Sequence, residues 1–336
     1  MRWRRPSPVD GITSLSWLDD LPAAIAQARS ALAPHILHTP TTRALWREDF
    51  ELHLKCEHLQ HTGSFKLRGA VNRMQHLTDA ERAAGVVAAS TGNHGQGVAR
   101  AGRALSVPVT VYVPESAAPV KVAPMRAMGA EVVTVSGDGL AAELAARAAA
   151  ASSGQIFVSP YNDPLVIAGQ GTIGMELDEA LTELDAVFVS VGGGGLISGI
   201  GAWLKHRRPG VRVYGCWPEN APTMARCLER GLIHEVRETE TLSDGTAGGV
   251  EPDAITLESC QACIDGHVFV SEAEIGAALA TLARKERWIV EGSAGVALAG
   301  CLQHAESLSD QKAAVVLCGR NIDFGRFLGA IGEGRG

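Results

Sequence analysis

The lysine in Ser64-Phe65-Lys66-Leu67-Arg68-Gly69-Ala70 stands among apolar and small residues, with a turn-forming glycine, Gly63, just before the segment. Such a lysine either snorkels, its stem on apolar surface and its head in water, or serves as an amine nucleophile and base. Taken alone the segment favours the first role, because most lysines are solvated. A second segment, Gly192-Gly193-Gly194-Gly195-Leu196, follows the apolar run 187–191 and opens a helical stretch. Its side-chain-free amides can converge on an anion at a helix N-terminus, which makes it a phosphate cradle. A dinucleotide fingerprint is the competitor, but the stretch lacks the G-x-G-x-x-G register and no acidic residue caps a following strand to hold a ribose. A merely flexible turn would not need four glycines in a row, each costing conformational entropy. A third segment, Ser90-Thr91-Gly92-Asn93-His94-Gly95, sets hydroxyls and amides between a strand and a helix, and suits a carboxylate. His94 has the chemistry of an acid or base, though capping or packing is the simpler role.

The elements that position these segments are legible from residue 84 onward, where short β-rich runs alternate with Ala-rich helical stretches in the manner of βαβ units. Thr78-Asp79-Ala80-Glu81 has capping-box spacing, 85–89 reads as a buried strand and 94–105 as a helix. Further strands are expected at 109–113, 131–135 and 156–159, with helices at 120–128 and 140–151, the former disturbed by Pro124. After Asp163 the pattern predicts a helix over 167–184, a strand over 186–191, a helix over 196–206 and a strand over 211–216. Helices at 272–285 and 294–302 flank the apolar 288–290, and 313–317 is a last strand ending at Cys318-Gly319. The expected fold is α/β, with open, mostly parallel sheets whose strand ends present the chemical segments.

Bulk properties narrow the function. A chain of 336 residues exceeds what one core usually serves, so two domains are the natural prior. A formal net charge of -7 without a basic block leaves no footprint for nucleic acid or an anionic membrane. The basic N-terminus MRWRRPSPVDG is followed by no apolar h-region, and no apolar run reaches the ~18 residues of a membrane span. Seven scattered cysteines suit a reducing, cytoplasmic compartment. Cys260 and Cys263 form a lone CxxC without a second ligand pair at zinc spacing, so no metal site is expected. The short stretch after the last strand is expected to leave no room for a regulatory domain of ~70 residues.

Together and in this order, Ser-Phe-Lys-Leu-Arg-Gly-Ala, Ser-Thr-Gly-Asn-His-Gly, Gly-Gly-Gly-Gly-Leu and Cys318-Gly319-Arg320-Asn321 resemble the motifs of the fold-type II pyridoxal 5'-phosphate (PLP) enzymes. The resemblance is to the threonine/serine dehydratase and serine racemase family and runs from about residue 40 to residue 321. It implies a tryptophan synthase β-like fold of two open twisted, mostly parallel sheets. Residues 1–84 and 163–336 would form a large PLP-binding domain, and 85–162 a small one closing over the substrate. It implies that Lys66, beside Phe65, holds the cofactor as a Schiff base and removes the α-proton. Asn93 would bond the 3'-oxygen, Gly192, Gly193, Gly194, Gly195 and Leu196 the phosphate, and Cys318 would face the ring nitrogen. Ser90, Thr91, Gly92 and His94 would line the substrate carboxylate, and Gly245, in 242–247, the substrate side chain.

Two departures shape the expected activity. Thr91 stands where the racemase branch carries a serine, which sets dehydration ahead of racemisation. Trp217 and Thr223 stand where the family's cation loop offers a Glu and an Asp, so no cation is expected. The implied reaction eliminates the β-hydroxyl of threonine or serine to give a 2-oxo acid and ammonia. Phenylserine, a hydroxyectoine-derived substrate and 3-hydroxyaspartate are alternatives, as are serine racemisation and a non-catalytic PLP-binding module. A homodimer is expected from the resemblance.

Overall fold

The computed structural model describes residues 17–332; the basic N-terminal stretch, in which no leader is expected, lies outside them. The first helix, α1 (Trp17–Leu32), buries Leu21, Ile25, Ala28 and Leu32 along one face at helical spacing. A hairpin-like pair, β1 (Thr41–Arg43) and β2 (Glu51–Lys55), leads into α2 (Lys66–Gln75) and α3 (Asp79–Ala84). Next come β3 (Val86–Ala89), α4 (Asn93–Leu105), β4 (Val109–Pro114), α5 (Pro119–Ala127), β5 (Glu131–Val135), α6 (Gly139–Ser153) and β6 (Ile156–Phe157). The chain then runs through α7 (Pro164–Ala180), β7 (Ala186–Ser190), α8 (Gly195–Arg207), β8 (Arg212–Pro218), α9 (Thr223–Arg230), α10 (Thr256–Cys263) and β9 (Gly266–Val270). It finishes with α11 (Glu272–Lys285), α12 (Gly292–Gln303), β10 (Lys312–Val316) and α13 (Phe324–Gly332).

Two sheets result, as the alternating pattern predicts. The larger has the order β1-β2-β10-β7-β8-β9, parallel throughout except for β1 against β2. The smaller, β5-β4-β3-β6, is wholly parallel. Parallel neighbours need crossover connections, and α4, α5, α6 and α8 supply them. Strand β7 is buried at every residue because helices cover both faces, hence its unbroken apolar run. Two capping boxes, Thr78 with Glu81 and Ser271 with Glu274, set the starts of α3 and α11.

Boundaries depart from expectation where local chemistry outweighs periodicity. Helix α7 begins at Pro164 because the Asp163 carboxylate accepts the amides of Leu165 and Val166, and it stops at Ala180, short of 184. Helix α5 runs through Pro124 instead of breaking there; a proline so near the N-terminus removes a single amide from a ladder barely begun.

A buried ion cluster ties α2 to its neighbours. Arg68, fully buried, bonds Glu57 through Nε (2.8 Å) and Nη2 (2.8 Å), and Glu176 of α7 through Nη1 (2.7 Å) and Nη2 (2.9 Å). Lys55 of β2 completes it, with Nζ 2.5 Å from Glu176 Oε2 and 2.7 Å from the Thr39 carbonyl. Arg29 of α1 adds a third cation at Glu176 Oε1 (3.0 Å), so each buried carboxylate is paired and the burial is tolerable. The cluster clamps α2 two residues after Lys66.

Candidate active site

The C-terminal ends of strands from both sheets open on one cavity of about 330 Å³, within the range of small-molecule sites. Lys66 is the first residue of α2 and reaches into it from one side. Its Nζ donates to the Pro160 carbonyl (2.9 Å) and lies 5.1 Å above the Phe65 ring. Burial pushes its pKa down to about 8, against the opposing pull of Cys318 and Glu291. A sizeable neutral fraction at neutral pH is what an amine nucleophile and base requires.

The glycine run forms the floor between β7 and α8. An ideal Cβ on Gly193 would lie 2.4 Å from the Tyr161 ring, and one on Gly192 3.0 Å from the Thr246 backbone. Gly194, the N-cap of α8, has φ +89°, a left-handed conformation that side chains rarely adopt. The first helical bond recorded runs from Ser198 N to the Gly194 carbonyl (3.0 Å), so the amides of Gly195, Leu196 and Ile197 precede the ladder. The run and Leu196 line the cavity. An anion with three or more acceptor oxygens suits such a cradle.

On the small-sheet side, β3 ends at the turn holding Ser90, Thr91 and Gly92, and α4 starts at Asn93; all four line the cavity with His94. The Ser90 hydroxyl accepts the Gly92 amide (3.1 Å), shaping the turn. His94 is buried with Nε2 2.8 Å from the Val158 carbonyl, and burial holds its pKa down near 3. The ring is therefore a neutral donor to that carbonyl and not an acid for catalysis. Gly245 faces Ser293, whose hydroxyl lies 2.7 Å from where a Cβ would stand.

At the remaining wall, Cys318 follows β10, is 2% exposed, and accepts a hydrogen bond from the Ser190 hydroxyl at 3.6 Å. Burial pushes its thiol well above the ordinary range, so it stays protonated. Every residue expected in the site from the sequence thus lines the same cavity.

The cavity also holds residues that sequence reading did not single out. Glu291, just before α12, is buried against Asn93 and Cys318; its one sequence signal is a carboxylate between an apolar run and a small-residue helix start. Lys121 of α5 reaches across to Asp244 (2.9 Å), supplying a cation at the mouth that 242–247 itself lacks. Trp217 is fully buried in the core, and the Thr223 hydroxyl is engaged by Glu238. Cys260 and Cys263 are buried free thiols on α10, packed on α8.

The cavity fits PLP on its own chemistry: an amine of lowered pKa, a glycine cradle that side chains would obstruct, and a neutral thiol and an amide that both meet the Glu291 carboxyl. Comparison with known proteins agrees. The chain is 42% identical over 273 residues to the L-threonine ammonia-lyase of Thermotoga maritima, covering 81% of this chain and 68% of that protein. It is 40% identical over 316 residues to the catabolic L-threonine dehydratase of Escherichia coli, covering 91% and 95%. The processed threonine deaminase isoform 2 of Solanum lycopersicum superposes with a TM-score of 0.90 at 32% identity, covering 97% of this chain and 95% of that one. Matched over residues 32–319 to pyridoxal-phosphate dependent enzymes, the chain belongs to that family.

Proposed function

We propose that the protein is a PLP-dependent dehydratase (ammonia-lyase) that converts threonine, and serine as a smaller congener, to a 2-oxo acid and ammonia. The observation that carries it is the convergence of Lys66, the glycine cradle and the Ser90–His94 turn on one cavity, in a chain 40–42% identical to L-threonine ammonia-lyases and dehydratases. Lys66 would hold the cofactor, with Phe65 under its side chain, Asn93 at the 3'-oxygen, the amides of Gly192 to Leu196 at the phosphate, and Cys318 at the ring nitrogen. When bound, the cofactor supplies the electron sink for the pair left at Cα.

The free Lys66 amine would take the α-proton; a pKa near 8 keeps it basic enough to accept and neutral enough to act. The amides at the start of α4, with the Ser90 and Thr91 hydroxyls, orient the substrate carboxylate. Cys318, a far weaker acid than an aspartic acid, would give a bound cofactor's ring nitrogen little protonation, chemistry that would favour prompt loss of the β-hydroxyl. The Thr91 methyl crowds the face from which a racemase would return a proton.

Lys121 bears on the substrate side chain. Its ammonium is already held by Asp244, so a second substrate carboxylate, as in 3-hydroxyaspartate, would have to displace that partner. Threonine makes no such demand. Residues 85–162 are proposed to move as a small domain over the site, a reading supported by links between the two sheets' halves: Lys121 to Asp244, and Arg147 of α6 to Glu251 (2.8 Å). No helix among the described residues is long and apolar enough to cross a membrane. A cytoplasmic homodimer is inferred, the compartment from the free, buried cysteines.

The test is a 2-oxo acid assay across threonine, serine, 3-hydroxyaspartate and phenylserine, with PLP added. Fastest turnover of L-threonine is expected. Lys66→Ala should abolish both product and the yellow colour of the bound cofactor, and a Lys66→Ala protein with unchanged turnover would overturn the assignment.

A further inference from the structure

The proposed elimination uses Lys66 and leaves Glu291 without a part, although this carboxyl is buried in the same cavity. Its surroundings have a fixed direction. The Thr62 carbonyl can only accept, so it holds the Asn321 amide nitrogen at 2.9 Å. That same nitrogen donates to Asn93 Oδ1 (2.6 Å), which turns Asn93 Nδ2 toward Glu291, 2.8 Å from Oε1 and 3.0 Å from Oε2. The Asn321 backbone amide adds a bond to Oε2 (3.1 Å), and the Cys318 thiol lies 3.8 Å from Oε1. Each of these partners donates, so an ionised carboxylate is satisfied while a proton on it would find no acceptor.

Burial opposes that charge and pushes the Glu291 pKa up. A buried carboxylate surrounded only by neutral donors is relieved when a cation shares its cavity. Resting on the PLP reading, we propose that Glu291 is a positioning residue of the cofactor pocket. As a carboxylate it balances the positive charge carried at the Lys66 nitrogen, before cofactor capture and after it. It also locks the Asn93 amide, since one N–H shared between its two oxygens leaves the second N–H for the 3'-oxygen.

The other charged and titratable groups facing this space do not supply the charge. Lys66, at the start of α2, is the cation itself. His94 of α4 is neutral, the Cys318 thiol beyond β10 is protonated, and the Tyr161 hydroxyl is engaged with the Glu251 amide (2.9 Å) and pushed far up by burial. Asp244, in the loop after α9, is half-exposed and paired with Lys121 of α5.

The experiment titrates the visible absorbance of the PLP-loaded protein against pH. An anion beside a cation raises the pH at which the cation loses its proton, so Glu291→Gln should move the midpoint to lower pH by roughly one unit, a tenfold change in proton affinity. Glu291→Asp, which keeps the charge, should restore most of the shift. Equal midpoints in wild type and Glu291→Gln overturn the proposal, and so does an Asp variant displaced as far as the Gln variant. Should Glu291→Gln not fold, Glu291→Ala carries the test: formate should return its midpoint toward wild type, formamide should not, and no difference between them overturns the proposal. A wild-type protein that gains no visible absorbance from PLP is a separate result, the failure of the PLP reading itself.

Discussion

Arg68 and Glu176 show how single residues near the site carry stability as well as geometry. Burial alone would push the Glu176 carboxyl up, but Arg68 and Lys55 outweigh it and hold the pKa near 2, below its ordinary 4.5. A carboxylate depressed in the folded state stabilises the fold above its unfolded pKa and loses that contribution as pH falls through the folded one. Stability from this cluster should therefore decline between about pH 4.5 and about pH 2, measurable as a falling midpoint in urea titrations. Arg68→Met leaves Glu176 with Lys55 and Arg29 but strips Glu57 of its ion-pair partner, and should cost about 3–5 kcal/mol by denaturant unfolding. Glu57→Gln in that background should recover part of the loss, because it removes the carboxylate whose ion pairing ran through Arg68.

Elements differ in how strictly they constrain sequence. The cradle between β7 and α8 tolerates no side chain at Gly193, where a Cβ meets the Tyr161 ring at 2.4 Å. Gly193→Ala should weaken PLP binding by roughly ten- to a hundredfold in equilibrium titration, as Tyr161 and the amides shift by the amount that overpacking costs, about 1–3 kcal/mol. By contrast, the capping box of α11 is remote from the cavity. Ser271→Ala should lower stability by about 1 kcal/mol without changing kcat/KM. Strands and helices after residue 84 were legible because β-rich runs and Ala-rich stretches alternate cleanly there. The short β1 and β2 were not singled out: three residues of β1 carry no periodic signal, the alternation in β2 lasts only five, and it is pairing of β2 with β10 and of β1 with β2 that makes them strands.

Across the whole molecule, the site lies where two sheets meet; Lys121–Asp244 crosses it at its lining, and Arg147–Glu251 links the two sides outside that lining. Arg147 and Glu251 are both mostly buried, with Asn162 adding a bond of 2.9 Å to the carboxylate. If closing the small domain over the substrate makes this contact, Glu251→Gln should destabilise the closed form by roughly 1 kcal/mol. KM for threonine should then rise about fivefold with kcat nearly unchanged. Steady-state kinetics at saturating PLP separate this outcome from a defect in chemistry, in which kcat would fall instead.

What the sequence determined by itself was the set of groups with fixed local chemistry. Four consecutive glycines before a helix and a small-residue turn after a strand show an anion-binding capacity in backbone freedom and side-chain type, whereas the neighbours of Lys66 alone favour a solvated lysine and only the four segments together single it out. The alternation of strand and helix likewise follows from local periodicity. Only the tertiary structure decided that these segments share a cavity with Glu291, Lys121 and Asp244, because those carboxylates and that ammonium acquire meaning through partners far away in the chain. Glu291 is the sharpest case: in the sequence it is one of many acidic residues, and its burial against Asn93 and Cys318 arises only when the ends of β3 and β10 are brought together.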